Sequence, residues 1–257
     1  MVGIVSLSFG TNPVLDRYEY SELHMGVKVR VTLYASSETR AEDAARAAFD
    51  RFAELEDVMS DYRPTSEVMR LCDQAGKGPV KVSADLFRVL QRAAEVSRLS
   101  DGAFDVTAGP LVKLWRQARK DGFLPTPEAI ARAKAFVGWQ AIVLNRRDQT
   151  VEITKPGVRI DLGGIAKGDA LDQSLAVLSS KGIRSALVEA GGDLAASGPP
   201  PGHKGWRISI NAVREPIGNL GLRDGGLTIA HQAVSTSGDT EQYVVIGGVR
   251  YSHIVDT

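Results

Sequence analysis

The 257-residue sequence contains a single cysteine, Cys72. An internal disulfide is therefore excluded, and cysteine usage points to no oxidising compartment while leaving one open. Charge of one sign is also lacking, because 31 Lys and Arg residues balance 31 Asp and Glu residues. No overall field draws the chain toward nucleic acid or an anionic membrane, and neither is expected as a partner. A continuous apolar run of roughly 18 residues is absent, so no transmembrane segment is expected. The opening MVGIVSLSFGTNP has a short apolar run but no basic region before it, no convincing cleavage site and no lipid-attachment cysteine. Two common phosphate-binding patterns are missing as well. Gly168 is followed by Asp169, where a P-loop requires lysine and then serine or threonine, and glycines at 163, 164 and 168 do not make G-x-G-x-x-G.

What is present fits a globular enzyme. Hydrophobic residues make up 43% and charged residues 24% of the chain, enough for a packed core. Val27 to Ala35 alternates as a strand should, and Ala44, Ala48, Phe52, Leu55 and Met59 mark one apolar face of a helix from Glu38. A second helix is expected over residues 84 to 99. A third starts at Thr126 and Pro127 and ends near Val137. Residues 141–145 and 151–155 form an expected hairpin around RRDQT, and 206–213 and 227–234 are expected strands. A further hairpin turns on Gly247 and Gly248, between 243–246 and 249–254. PPPGHKG at 199–205 reads as a loop. Hairpins mixed with separate helices indicate an α+β class with antiparallel or mixed sheets and packed helices.

The richest chemistry lies in RIDLGGIAKGDALD, Arg159 to Asp172. Val158, Ile160 and Leu162 alternate as a strand, and Ala170, Leu171, Leu175 and Leu178 recur at helical spacing from Ala166 onward. Gly163 and Gly164 fall on the turn between them. Glycines allow close approach to the backbone, and the following helix presents unpaired N–H groups to an anion. Lys167 adds a positive charge. The plainer alternative is a glycine turn with a solvated lysine and an Asp161 that caps locally.

Similar glycine-, aspartate- and hydroxyl-rich segments occur at GAFDVTAGPLVKLW (102–115), VEAGGDLAASG (188–198), AVSTSGDTEQY (233–243) and RYSHIVD (250–256). In this order, and with HMG at His24 to Gly26, they resemble the motif series of the ApbE family of FAD:protein FMN transferases. The resemblance covers nearly the whole chain. It implies a T-fold-like domain over 24–257, preceded by an N-terminal extension at 1–23. It also implies FAD as substrate, Mg²⁺ as cofactor, and an acceptor flavoprotein whose threonine or serine hydroxyl receives FMN as AMP leaves. Many relatives are exported lipoproteins, so the expected location is cytoplasmic as the chain is given, or the cell envelope if a start is missing.

Carried over residue by residue, the resemblance assigns FAD contacts to Met25, Tyr62, Ala103, Phe104, Asp105, Asp161, Lys167 and His253. His253 is the expected catalytic residue, since an imidazole can pass a proton near neutral pH. Asp193 and Asp239 are expected to shape the site. Each has a plainer alternative: Phe104 as core, Asp105 as a helix cap, Met25 and Tyr62 as ordinary core residues. His24, His203 and His231 are expected to be satisfied in the core or at the surface. Of the family's metal ligands only the Gly164 carbonyl can be assigned, because Thr257 stands where relatives continue toward an aspartate and a threonine. A missing C-terminal strand and helix are expected on that ground. Cys72 replaces an asparagine common in relatives, leaving open a reactive thiol or a buried inert one. FAD pyrophosphatase activity, or flavin binding without chemistry, are the alternatives to transfer.

Overall fold

A computed structural model describes residues 14–209, 226–237 and 243–256. At its centre is a five-stranded antiparallel sheet in the order β1-β2-β6-β7-β10, formed by Asp16–His24, Val27–Ala35, Ala186–Ala190, Asp193–Ala196 and Gln232–Val234. β1 pairs with β2 along nine residues, from Asp16 opposite Ala35 to His24 opposite Val27. Residues 16–23, expected to precede the domain, are thus the body of its edge strand.

Side-chain alternation places a separate core on each face of this sheet. Val29, Val31, Leu33, Ala186, Val188 and Ala190 face the main core. Leu187, Leu194 and Ala196 face the other way, onto Trp206 and Ile229. Those two residues come from a separate hairpin-like pair, β8 (Trp206–Ser209) with β9 (Gly226–Ile229). Each large side chain buried there stabilises by about 1.5–3 kcal/mol. The expected strand at 227–234 is broken in two, because His231 adopts φ 53° and starts a turn into β10. Of the expected strand at 206–213, residues beyond Ser209 lie outside the described chain.

Several helices line the main core. α1 (Glu38–Met59) is capped by Ser37, whose hydroxyl accepts from the Arg40 amide, and it buries Ala41, Ala44, Ala45, Ala48, Phe49, Phe52, Leu55 and Met59. Four alanines on that face let α6 (Ala166–Ser180) come close enough for the Ser174 hydroxyl to donate to the Ala48 carbonyl at 3.4 Å. α3 (Ala84–Leu99) adds Leu86, Phe87, Val89, Leu90 and Ala93 to the same core and joins this pair through charge as well. Arg51 on α1 forks onto Asp85 on α3, and Arg88 on α3 forks onto Asp169 on α6 at 2.9 Å. The Arg51 hydrogen bond, ahead of an opposing burial effect, holds the Asp85 carboxyl below the usual range.

The remaining elements are α2 (Glu67–Cys72), α4 (Gly109–Asp121), α5 (Pro127–Lys134) and a three-stranded sheet, β3-β5-β4. That sheet consists of Val80–Lys81, Thr150–Ile153 and Ile142–Asn145. β11 (Tyr243–Ile246) and β12 (Val249–Ser252) form the expected hairpin on Gly247 and Gly248, with φ 58° and 80°. Left-handed backbone at both positions matches the twist of the strands and suits glycine.

Residues 158–162 correct the sequence reading. Val158, Ile160 and Leu162 are buried in the main core as alternation predicts, yet they join no sheet. Their amides are used elsewhere: Ile160 N–H donates to the Cys72 sulfur at 3.3 Å, and Asp161 N–H donates to the Val106 carbonyl at 2.8 Å. A strand-like burial pattern therefore arises from an extended segment held by its neighbours.

Candidate active site

The turn from Asp161 to Lys167 joins that extended segment to α6. Ala166 N–H closes back on the Leu162 carbonyl at 2.8 Å, and Asp161 accepts the Gly163 amide at 2.8 Å. Gly163 and Gly164 are both exposed. No side chain caps the start of α6, which leaves its N-terminal end open to an anion. A Cβ on Gly164 would lie 3.1 Å from Cε2 of Phe104, so the turn and the Phe104 ring are in close contact.

One polar cluster lies on the Asp161 side. Arg116, on α4, donates to Asp161 at 2.9 Å and also to Asp61, in the loop after α1. Its guanidinium carbon sits 4.2 Å from the centroid of the Tyr62 ring, within cation–π range. Tyr62 is 73% exposed, so it is a surface ring and not a core residue. The side chains of Asp61 and Asp161 are only 17% and 10% exposed. Burial first, and then the nearby Asp61 charge, push the Asp161 carboxyl above the ordinary range, while the Gly163 amide and then Arg116 pull it back.

A second cluster lies on the Lys167 side. Lys167 Nζ is 3.1 Å from Asp193 at the start of β7, and the Ser235 hydroxyl, just past β10, donates to the other Asp193 oxygen at 2.6 Å. Asp193, expected from its motif to shape the site, is thus the ion-pair partner of Lys167. Asp239 lies outside the described residues.

Phe104 and Asp105 act through local structure. Phe104 packs on the main core, and its amide donates to Ser100 Oγ at 3.0 Å. Ala103, next to it, closes a turn by donating to the Ser100 carbonyl. Asp105 accepts from the Thr107 amide at 2.7 Å, the Thr107 hydroxyl at 2.6 Å and the Trp139 amide at 2.9 Å. It caps the 3-10 turn at Val106–Ala108 that leads into α4, so the plainer capping role is present beside any ligand role. Met25 sits in the β1–β2 turn at φ 50°, and its amide donates to Glu56 at 3.0 Å. His253 follows β12 and is half-buried. Two residues earlier, the Tyr251 ring meets Trp115 of α4 edge-on at 5.8 Å. The neighbouring residues Trp115 and Arg116 therefore tie α4 to the β11–β12 hairpin and to the Asp161 turn.

The other histidines have the plain roles expected of them. His24 stacks on Phe49 and Phe52, while His203 and His231 are exposed. Cys72 is 3% exposed, and burial pushes its thiol up, which makes it the inert alternative. Sequence reasoning missed Arg116, which looks like any solvated helix arginine, and Ser235. Asp61 is adjacent to Tyr62 and could have been found from that position. Concavities of about 400 Å³ along α3 and about 730 Å³ near Arg40 and Arg184 include none of the expected site residues.

The residues described do not fit an octahedral magnesium site. Gly164 offers one carbonyl, and among the described residues no group of three His, Cys, Asp or Glu could hold a metal ion. No helix among them is long and apolar enough to cross a membrane.

An antiparallel sheet under helices, with a lysine at the head of α6 and carboxylates on either side, defines an α+β protein with a polar turn open at its surface. The family model for ApbE matches residues 25–257, and the chain belongs to the ApbE family. It is 33% identical over 239 residues to the FAD:protein FMN transferase of Klebsiella pneumoniae strain 342, covering 93% of this chain and 72% of that protein. To the Treponema pallidum FAD:protein FMN transferase it is 30% identical over 264 residues, covering 97% and 72%. The crystal structure of the Thermotoga maritima ApbE protein matches with a TM-score of 0.80 at 32% identity, over 94% of this chain and 76% of that one. Apo flavinyl transferase ApbE from Pseudomonas stutzeri matches at 0.79 and 28% identity, over 94% and 74%.

Proposed function

We propose that this chain is an FAD:protein FMN transferase, moving FMN from FAD to a threonine or serine hydroxyl of an acceptor flavoprotein and releasing AMP. The observation that carries this reading is the Asp161–Lys167 turn. It combines exposed glycines, an uncapped helix start and a lysine, with a fixed carboxylate at its other end. Such a turn suits a ligand with a pyrophosphate at one point and hydrogen-bonding rings at another. The domain is taken as residues 24–257 together with the strand that precedes it.

In this reaction the acceptor hydroxyl oxygen bonds to the phosphorus on the FMN side of the pyrophosphate. The bond from that phosphorus to the bridging oxygen breaks, and AMP carries the bridging oxygen away. The hydroxyl proton passes to a base, and His253, the expected catalytic residue, is the candidate for it. Lys167 contacts the pyrophosphate and offsets charge as it develops on the leaving AMP. Asp161 accepts a hydrogen bond from FAD, and Tyr62 and Phe104 supply ring contact. Met25, Ala103 and Asp105 complete the FAD wall. Mg²⁺ remains an expectation of the family resemblance, with Gly164 as its one assigned ligand, and no step is routed through it.

The test is mass spectrometry of FAD and an acceptor domain incubated with the chain, with and without Mg²⁺. FMN on the acceptor hydroxyl with AMP in solution is the expected result. Free FMN and AMP without an acceptor would identify a pyrophosphatase, and intact bound FAD would identify a flavin-binding protein.

A further inference from the structure

We propose that Arg116 is a positioning residue for FAD: by bridging Asp61 and Asp161 across one face of Tyr62, it fixes both the Asp161 acceptor and the orientation of the Tyr62 ring. This inference rests on the reading above, in which Asp161 and Tyr62 face FAD.

The geometry brings three separate stretches of chain to one guanidinium. Asp61 and Tyr62 come from the loop after α1, Arg116 from the middle of α4, and Asp161 from the extended segment before α6. Two largely buried carboxylates facing one another do not both ionise readily, because each raises the other. A cation between them relieves that repulsion. The groups that face Asp161 are Asp61, the Gly163 amide and Arg116 itself, with the Tyr62 ring on the far side of the guanidinium. Without Arg116, nothing among these supplies a positive charge. Asp161 would then hold its proton to higher pH and lose acceptor capacity over a wider pH range.

An arginine suits the position for a geometric reason. Its planar fork reaches two carboxylates while its face lies on a ring, whereas an ammonium can do only part of this. The guanidinium also closes one face of Tyr62 and leaves the ring 73% exposed. Flavin stacking would therefore be directed to the other face.

The test is FAD affinity of the whole chain, read by flavin fluorescence between about pH 5.5 and pH 8.5. Four proteins are compared: wild type, Arg116→Gln, Arg116→Lys, and Arg116→Gln combined with Asp61→Asn. Arg116→Gln is expected to weaken binding about tenfold near neutral pH, and its affinity should fall on acidification at a higher pH than wild type. Removing the second carboxylate should restore much of that loss, which a role in folding alone would not produce. Arg116→Lys should keep the wild-type pH profile with weaker binding. If Arg116→Gln does not fold, the lysine variant decides the matter, and unchanged affinity in it overturns the inference. Wild-type affinity and pH profile in Arg116→Gln, or no recovery in the double variant, would also overturn it. A wild-type chain that binds no FAD would overturn the functional reading and this inference together.

Discussion

The two ends of the Asp161–Lys167 turn hold their charges in opposite ways. At the Asp161 end, one guanidinium is held by two carboxylates and a ring, so its position is fixed from three sides. At the Lys167 end, an ammonium that is 30% exposed has one carboxylate partner at 3.1 Å. The first arrangement leaves a net negative group of locked geometry, suited to orienting a ligand. The second leaves a cation on a flexible stem that can move with charge as a bond breaks. A transferase of this kind needs both, because it must align an unreactive flavin and follow a leaving phosphate.

Removing the movable cation should have the largest effect on catalysis. Lys167→Met is expected to slow FMN transfer about a hundredfold or more, with a smaller loss of FAD affinity. Single-turnover rates and equilibrium binding would separate the two, and an unchanged rate would place the pyrophosphate elsewhere. Next in size is the support beneath the fixed side. Asp105→Ala leaves three donors without their acceptor, at a cost of about 2–3 kcal/mol in unfolding free energy by denaturant titration. A loss under about 0.5 kcal/mol would mean that water replaces the carboxylate easily.

The fixed side also predicts a pH signature. The folded Asp161 carboxyl is raised, by burial and then by Asp61, so the unfolded chain gives up this proton at lower pH than the native one. Its contribution to stability is therefore fully present in acid and is lost as pH rises through the native value. Asp161→Asn removes this component. Relative to wild type, the variant should gain melting temperature as pH rises above the ordinary carboxylate value, and a constant difference would show that Arg116 cancels the shift. The smallest effect belongs to a position away from both clusters. Gly248→Ala should cost about 1 kcal/mol through its left-handed backbone, with FAD affinity unchanged.

The same contrast marks what was legible in the sequence. Periodicity gave α1, α3 and β2 to within a residue or two, because each buries one regular face, and the paired glycines gave the Gly247–Gly248 hairpin. It failed at 158–162, where alternation was real but the backbone partners were a thiol and a lone carbonyl from distant stretches of chain. The Lys167 end was visible as a motif. Its partner Asp193 was visible too, within a second motif, although nothing in the sequence joined the two. Arg116 could not be found, because its meaning comes from Asp61 and Asp161, respectively 55 and 45 residues away, and only the fold brings them together.

Asp105 carries one further consequence. Its carboxylate has about four lone-pair sites, and Thr107 and Trp139 occupy three of them, two on Oδ1 and one on Oδ2. A ligand arriving there meets an acceptor with capacity for one donor in one direction, and an approach from any other side must displace a bond that holds α4 in place. The turn that Asp105 caps thus also sets the one direction in which its carboxylate can still accept a hydrogen bond.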